Sequence, residues 1–196
     1  GTNSGGVFLS TNNGSLWTAV NNGLTNTHVR VLAISGTNIF AGTDGSGVFL
    51  SSNNGSSWTA VNNGLTSTFI RALAISDTNI FAGPSGCGVF LSSNNGGFWT
   101  AVNNGIPAYT SVWSLAISGS NIFAGTWGGS VFLSSNNGSS WTAVNNGLTN
   151  TDVYSLAISG TNIFAGTSGG VFLSSNNGSS WTAVSNGLTN TDVLSL

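Results

Sequence analysis

Charged side chains are scarce in this chain. They make up 3% of its 196 residues, against about 25% in ordinary soluble domains, and they are Arg30, Arg71, Asp44, Asp77, Asp152 and Asp192. Two arginines cannot neutralise a phosphate backbone, so we do not expect nucleic-acid binding. Lys, Glu and Met are absent, which disfavours long surface helices because these are the residues that favour them.

Cysteine and histidine are nearly absent as well, with one residue each, Cys87 and His28. A single cysteine excludes a disulfide framework and a CxxC metal site, and zinc needs more Cys or His ligands than these two. We therefore expect no metal and no cofactor. No apolar run reaches the ~18 residues that span a membrane, and no signal peptide is visible. Since the sequence does not begin with Met, we expect a mature or excised piece.

Apolar, aromatic and small polar residues fill the chain instead. Hydrophobic residues make up 39% of it, including seven Trp and eleven Phe, beside 29 Gly and 27 Asn. Disordered chains are poor in apolar residues, so this composition predicts a folded protein.

An internal repeat organises the whole sequence. Five segments of 41, 41, 42, 41 and 31 residues cover 1–41, 42–82, 83–124, 125–165 and 166–196. Each complete segment contains four short runs rich in Val, Ile, Phe and Trp, which is the signal for strands. In the second segment these runs are Val48–Ser51, Trp58–Val61, Ile70–Ser76 and Ile80–Ala82. Asn-Gly, a natural tight turn, occurs ten times.

The spacing of the runs predicts an all-β fold, a β-propeller with four antiparallel strands in each blade. Leu73-Ala74-Ile75 is apolar on both faces, so its sheet must be covered on both sides, which a lone two-layer sandwich would not do. Four strands in about 41 residues match a propeller blade, whereas a β-solenoid normally uses shorter coils. We assign residues 1–196 to one propeller domain.

One block, SSNNGSSW at Ser51–Trp58, recurs in every segment. It resembles the Asp-box, or bacterial neuraminidase repeat, Ser/Thr-x-Asp-x-Gly-x-x-Trp, with Asn in place of the Asp. An Asn carbonyl can still accept backbone N–H bonds across a turn, and the Trp can pack beside the neighbouring blade. In that family the motif is structural, which implies structural roles here for Asn12, Trp17, Asn53, Trp58, Asn94, Trp99, Asn136, Trp141, Asn176 and Trp181.

The resemblance implies a strand order and leaves the activity open, because the family includes sialidases, sortilin-like receptors, xyloglucan-degrading enzymes and photosystem assembly factors. In the second segment, strand A is Ile70–Ser76, B is Ile80–Ala82, C is Val48–Ser51 and D is Trp58–Val61. Each blade then takes A and B from one segment and C and D from the next. We expect a first C–D pair, four complete blades and part of another A strand, as in an arc of a larger or incomplete ring. Open ends of this kind invite self-association.

The segments differ from one another at few positions, and these cluster around the start of strand A and in the B–C loop. Both regions lie on one face of an up-and-down blade, opposite the SSNNGSSW turns. Loops on a rigid scaffold often carry function, although neutral drift at tolerant loop positions gives the same pattern. The candidate ligand-binding residues are His28, Arg30, Asp44, Phe69, Arg71, Tyr109, Trp113, Trp127, Asp152, Tyr154 and Asp192.

Each of these candidates has an alternative interpretation. Arg30 and Arg71 can clamp an anion or pair with Asp44, and Trp113 and Trp127 can stack on a ligand or pack between blades. Asp152 and Asp192 can form a glycosidase-like carboxylate pair or cap turns, and capping is the commoner role of loop aspartates. His28 and Cys87 are interpreted as ordinary loop residues. A sialidase is not expected, because its family has a three-arginine clamp and a Glu beside the Tyr nucleophile, whereas this chain has two Arg and no Glu.

Three functions follow from these observations. The first is a non-catalytic extracellular binding or adhesion propeller, from a bacterium, that recognises a glycan or a surface protein on the variable face. The second is a glycoside-hydrolase module whose other catalytic parts lie elsewhere. The third is a structural repeat, a spacer or a filament subunit.

Overall fold

The structure, a computed structural model, describes all residues 1–196 and consists of strands and turns without a helix. No helix long and apolar enough to cross a membrane is therefore present. In chain order the strands are β1 (Phe8–Leu9), β2 (Thr18–Ala19), β3 (Val29–Ser35), β4 (Asn38–Thr43), β5 (Val48–Ser51), β6 (Thr59–Ala60), β7 (Ile70–Ser76), β8 (Asn79–Pro84), β9 (Phe90–Ser92), β10 (Thr100–Ala101), β11 (Val112–Ser118), β12 (Asn121–Thr126), β13 (Ser130–Ser134), β14 (Thr142–Ala143), β15 (Val153–Ser159), β16 (Asn162–Thr167), β17 (Gly170–Ser174) and β18 (Thr182–Ala183).

These strands form four four-stranded sheets and one two-stranded hairpin. We name the sheets blade 1 (β3–β6), blade 2 (β7–β10), blade 3 (β11–β14) and blade 4 (β15–β18), and we call β1–β2 the first hairpin. Strands that follow one another in sequence are neighbours in each sheet, so A and B come from one repeat and C and D from the next. The predicted all-β propeller architecture and strand order are confirmed, including the unaccompanied first hairpin.

Two strand lengths differ from the sequence prediction. The predicted strand Trp58–Val61 is reduced to Thr59–Ala60. It begins after Trp58, because the Trp58 N–H is donated at 2.8 Å to the carbonyl of Asn22, which follows the first hairpin, instead of to β5. The predicted strand Ile80–Ala82 extends over Asn79–Pro84, because it pairs along both sides with its neighbours. Residues 191–196, expected to begin another A strand, form no strand.

The SSNNGSSW turns are held by the side chains of their own Ser and Asn. In blade 1 the Ser51 hydroxyl accepts the Gly55 N–H at 2.8 Å, and Asn53 Oδ1 accepts the Ser57 N–H at 2.9 Å. Asn54 and Gly55 both adopt positive φ, 56° and 83°, so the Asn-Gly pair makes the tight turn that the sequence predicts. At the second Asn-Gly of each repeat only the glycine does so, as at Gly64 with φ of 94°.

Tryptophan side chains connect successive sheets. Trp58, Trp99, Trp141 and Trp181 are buried, and each donates its indole N–H to a valine carbonyl of the preceding sheet or hairpin at 2.7 Å. The expectation that all five block tryptophans pack beside a neighbouring blade is wrong for Trp17, which is 60% exposed. No D strand precedes Trp17 within residues 1–196 to cover it.

Tertiary contacts divide the chain into two compact units. Unit 1 comprises Gly1–Pro84 and Phe90–Thr100, and unit 2 comprises Ser85–Val89 and Ala101–Leu196. Unit 1 has a core that includes Val7, Leu24, Val29, Ala41, Phe49 and Trp58. Unit 2 has one that includes Phe123, Val131, Leu148, Val153, Ile163, Ala165, Phe172 and Trp181. The assignment of residues 1–196 to a single domain stays a prediction.

Candidate functional site

Every A strand contains a β-bulge near its start. The pairing of β3 with β4 passes from Val29 to Val31, so Arg30 is the extra residue. By the same irregularity the extra residues are Arg71 in β7, Trp113 in β11 and Tyr154 in β15. A bulge changes the direction of a side chain and is common beside functional sites. One of the variable positions of the repeat is therefore the bulge residue of the A strand.

A second variable position lies beside each bulge, directly after the B strand. It is occupied by Asp44 after β4 and by Trp127 after β12, and the residue before the A strand bonds to it. The Asp44 N–H is donated to the His28 carbonyl at 3.0 Å, and the Trp127 N–H is donated to the Ser111 carbonyl at 3.1 Å. The same backbone scaffold thus brings the bulge residue and the loop residue together in blades 1 and 3.

In unit 1 this scaffold gathers charge around Asp44. Arg30 donates Nη2–H and Nε–H to Asp44 Oδ2 at 2.7 and 3.2 Å. Arg71, from the next blade, places Nη2 3.6 Å from Oδ1, and His28 places Nδ1 3.6 Å from Oδ2. We call these four residues the charged cluster. Of the two interpretations left open by the sequence, the structure has Arg30 and Arg71 paired with Asp44.

Electrostatics keep Asp44 ionised. The hydrogen bond from Arg30 is the main reason that the pKa of Asp44 is lowered, and the positive charges of Arg71 and Arg30 act in the same direction. Partial burial opposes the shift, because a charged carboxylate is less well hydrated there. With one carboxylate against two guanidinium groups, the cluster has an excess of positive charge.

His28 of this cluster, the candidate Phe69 and the neighbouring Asn26 complete the surroundings of Asp44. The His28 Nε2 atom is buried and has no hydrogen-bond partner. Phe69 forms an isolated antiparallel bridge with Asp44, while its side chain is half exposed. The side-chain amide of Asn26 donates to the Asp44 carbonyl at 3.0 Å and so holds the loop that carries Asp44.

In unit 2 the equivalent positions gather aromatic rings. Trp113 and Trp127 meet edge to face, with ring centroids 5.4 Å apart and an interplanar angle of 85°. Tyr154, the bulge residue of the next blade, lies 5.6 Å from Trp113 at 49°. Trp127 is 59% exposed, whereas Trp113 and Tyr154 are half-buried. We call these three residues the aromatic cluster. Trp113 packs against Tyr154 of the next blade, as the packing interpretation expects, whereas Trp127 is exposed and its stacking on a ligand stays a prediction.

The other candidates of unit 2 have environments of their own. Asp152 Oδ1 accepts the Gly128 N–H at 2.9 Å and so holds the loop that carries Trp127. Asp192 is exposed, and no hydrogen bond or ion pair joins its carboxylate to that of Asp152. Tyr109 is exposed, with φ of 62°, in the connection between β10 and β11. Asp152 therefore has the turn-capping role that was the alternative to catalysis.

Sequence reasoning did not single out Ser111, which is a polar contributor to this region. Its hydroxyl accepts the Gly86 N–H at 2.9 Å and lies 3.4 Å from the Ser85 hydroxyl. Ser111 occupies the same position in its repeat as Asp152, which binds the next B–C loop in the same way. The variation between repeats at this position was the sequence signal that could have identified Ser111. No group of three His, Cys, Asp or Glu side chains is arranged as a metal site.

Comparison with known proteins identifies the fold. No protein-family model matches the chain, and no curated protein is significantly similar to it in sequence. The extracellular domain of a one-component system from B. thetaiotaomicron is similar in structure, with a TM-score of 0.79 and 18% identity over 98% of this chain and 27% of that chain. An ancestral GH74 enzyme has a TM-score of 0.70 and 26% identity over 80% of this chain and 24% of its own.

A third similar structure is YCF48 bound to D1 peptide, with a TM-score of 0.64 and 16% identity over 89% of this chain and 59% of that one. The chain spans about a quarter of the length of the first two structures. These likenesses, together with the four-stranded sheets, establish that the chain has the β-propeller fold.

Proposed function

We propose that this chain is a non-catalytic binding propeller of an extracellular bacterial protein, and that its aromatic cluster binds carbohydrate. The observation that carries the proposal is the arrangement of Trp127, which is exposed and stands perpendicular to Trp113. A large apolar ring that is left in water beside further aromatic residues is typical of a binding surface.

The shape of the aromatic cluster favours a ring-shaped ligand. Two perpendicular indoles form a corner in which one sugar face can lie against Trp127 while its edge meets Trp113. Asp152 accepts the Gly128 N–H through Oδ1, so its other carboxylate oxygen can accept a hydrogen bond from a ligand hydroxyl. A neutral polyhydroxylated ligand can pack on the two indoles and donate a hydroxyl hydrogen bond to Asp152 without the burial of an unpaired charge.

The extracellular location rests on the similar structures and on composition. One similar structure is an extracellular bacterial domain, and others are GH74 enzymes. An Asn-, Ser- and Thr-rich surface remains hydrated through amides and hydroxyls, so its solubility does not depend on charge. We also propose that the SSNNGSSW block is a variant Asp-box, since Asn53 Oδ1 accepts the backbone N–H of Ser57 across the turn.

The proposal that the chain is non-catalytic rests on the positions of its carboxylates. Asp152 is engaged in holding its loop, and Asp192 lies in the exposed residues after Leu188. In glycosidases the two carboxyl groups flank one substrate bond from fixed positions, whereas Asp192 lies on an exposed segment outside any strand. Release of reducing sugar by the purified chain, abolished in Asp152→Asn, would instead favour the hydrolase hypothesis.

The test is binding of the purified chain to immobilised bacterial and plant polysaccharides, followed by calorimetry with the best oligosaccharide. Trp127→Ser introduces the residue that two other repeats have, at Ser85 and Ser168. We expect this variant to lose at least tenfold in affinity, about 1.4 kcal/mol, because the stacking surface is gone.

Phe98→Ser is the matched control. Phe98 is also a half-exposed aromatic residue, and three other repeats have serine at its position, namely Ser57, Ser140 and Ser180. It lies in a C–D turn at the opposite end of the strands. Its affinity should equal that of the wild type. Equal losses in the two variants, or no binding to any polysaccharide, would contradict the proposal, and binding of a peptide alone would favour a protein partner.

A further inference from the structure

One contact between sheets is built in the same way four times. The indole N–H of a block tryptophan is donated to a valine carbonyl at 2.7 Å, and its backbone N–H is donated at 2.8 Å to the second asparagine after that valine. The pairs of Trp and Val are Trp58 with Val20, Trp99 with Val61, Trp141 with Val102, and Trp181 with Val144.

A glycine completes each of these four contacts. Gly23, Gly64, Gly105 and Gly147 follow the asparagine, and a Cβ placed on any of them would lie 2.0–2.2 Å from the tryptophan carbonyl oxygen. That separation is far below a van der Waals contact, so only glycine permits the approach. The socket for a block tryptophan therefore consists of a Val carbonyl, an Asn carbonyl, a Gly and the Leu or Ile that follows the Gly.

The first hairpin has the tryptophan of this contact without a socket. Trp17 is 60% exposed, where the other four block tryptophans are 1–4% exposed. It lines a cleft of about 310 Å³ together with Gly1, Thr2 and Phe8. Leu16 beside it is also exposed, so the outer side of the first hairpin is apolar.

The end of blade 4 has the socket without a tryptophan. Val184, Asn186, Gly187 and Leu188 repeat the pattern of Val144, Asn146, Gly147 and Leu148. A Cβ on Gly187 would meet nothing within 4 Å, and Leu188 is 47% exposed where Leu148 is 8% exposed. The backbone carbonyls that would accept the two tryptophan N–H groups are thus on an exposed segment.

We propose that a second copy of this chain fills the socket, with Trp17 of one copy docked on Val184–Leu188 of the other. The two surfaces are the halves of a contact that the chain itself forms four times. Those four contacts show that the two halves are complementary in shape and in hydrogen bonding. A contact between two different surfaces is head-to-tail, and it leaves one free tryptophan and one free socket on every dimer. Docking covers Trp17, Leu16 and Leu188, and it requires no charged group, in keeping with a chain of which only 3% is charged.

Two variants remove one side of the contact each. Trp17→Ala removes the indole, and its control is Trp127→Ser, which removes a tryptophan that is equally exposed. Gly187→Asn blocks the socket, since Asn tolerates positive φ but places a Cβ where the tryptophan carbonyl must lie. Gly160→Asn is its control, because Gly160 also has positive φ and nothing within 4 Å of a Cβ, and it lies in a turn outside the socket.

The measurement is sedimentation velocity over a wide range of protein concentrations, with circular dichroism to verify folding. We expect the wild type and both controls to associate as concentration rises, and Trp17→Ala and Gly187→Asn each to remain monomeric. Leu188→Asn replaces Gly187→Asn should the latter not fold.

Mixing the two monomeric variants distinguishes this mode of association from all others. Trp17→Ala retains an intact socket and Gly187→Asn retains an intact Trp17, so an equimolar mixture forms one heterodimer and grows no further. A wild type that is monomeric at every concentration, variants that associate like the wild type, or a mixture that remains monomeric would overturn the proposal.

Discussion

At the scale of single residues, two positions per blade determine the chemistry of the candidate site. The bulge residue and the residue after the B strand are Arg30 and Asp44 in blade 1, and Trp113 and Trp127 in blade 3. Each pair is in contact because the same bulge and the same backbone hydrogen bond bring it together. Different side chains at these positions give this face a charged cluster in one blade and an aromatic cluster in another without a change of fold.

A prediction at this scale concerns Asp44. Its pKa is lowered in the folded state, so its ionised form adds stability above the ordinary carboxyl pKa of about 3.9, and this stability is lost as pH falls through the lowered pKa. We expect Asp44→Asn to lower the free energy of unfolding at pH 7 by about 1 kcal/mol, the upper range for a partly exposed ion pair.

Urea denaturation from pH 7 to pH 2 measures this effect. The difference between the wild type and Asp44→Asn should shrink as the pH falls below about 4. Asp77→Asn is the control, because Asp77 is at positive φ in the turn between β7 and β8, a conformation that Asn tolerates. A difference that is constant with pH would show that the ion pairs of Asp44 contribute nothing.

At the scale of strands and turns, the serine that begins each SSNNGSSW turn has an environment that differs between repeats. Ser51 is buried, and its hydroxyl accepts the buried Gly55 N–H at 2.8 Å. Ser10 makes the same bond to Gly14 at 2.8 Å, but in the exposed first hairpin. Water can replace the serine oxygen at Gly14, whereas at Gly55 it cannot reach the N–H without a local rearrangement.

We therefore expect Ser51→Ala to lower the free energy of unfolding by about 1–3 kcal/mol, the cost of an unsatisfied buried donor. Ser10→Ala should change it by about 0.5 kcal/mol or less, as exposed substitutions do. Chemical denaturation of both variants measures the contrast. Equal effects would mean that burial of the Gly55 N–H is not what makes this hydrogen bond matter.

At the scale of the whole molecule, stability is set by contacts between neighbours in the sequence of repeats. The first hairpin and blades 1 to 3 each cover a tryptophan of the blade that follows, whereas the hairpin's own Trp17 is exposed. Local stability in such an array follows the number of packed neighbours.

Hydrogen–deuterium exchange should reveal this gradient. At low protein concentration we expect amides of β1 and β2 and of residues 184–196 to exchange first, and those of β4, β8 and β12, whose side chains are mostly buried, to exchange last. Mass spectrometry of peptic peptides measures the order. Protection of β1 equal to that of β8 at a concentration where the chain is monomeric would contradict the prediction.

The sequence was sufficient for the elements that local chemistry determines. The predicted strands Val48–Ser51 and Ile70–Ser76 agree with the structure residue for residue, because β-branched and apolar runs there end at Ser and at turns. The D strand Trp58–Val61 was predicted too long, since the N–H of Trp58 bonds to a carbonyl that lies 36 residues earlier in the chain, at Asn22. Periodicity within one repeat carries no information on that partner.

The sequence by itself thus determined the repeat, the four-stranded blade, its strand order and the position of the variable residues. Only the tertiary structure decided which variable residues meet. Arg71 reaches Asp44 because the bulge of β7 lies beside the loop after β4, and Tyr154 reaches Trp113 because the bulge of β15 lies beside that of β11. These contacts depend on how one sheet packs on the next. Local preferences of single residues leave that packing undetermined, whereas burial of the block tryptophans fixes it.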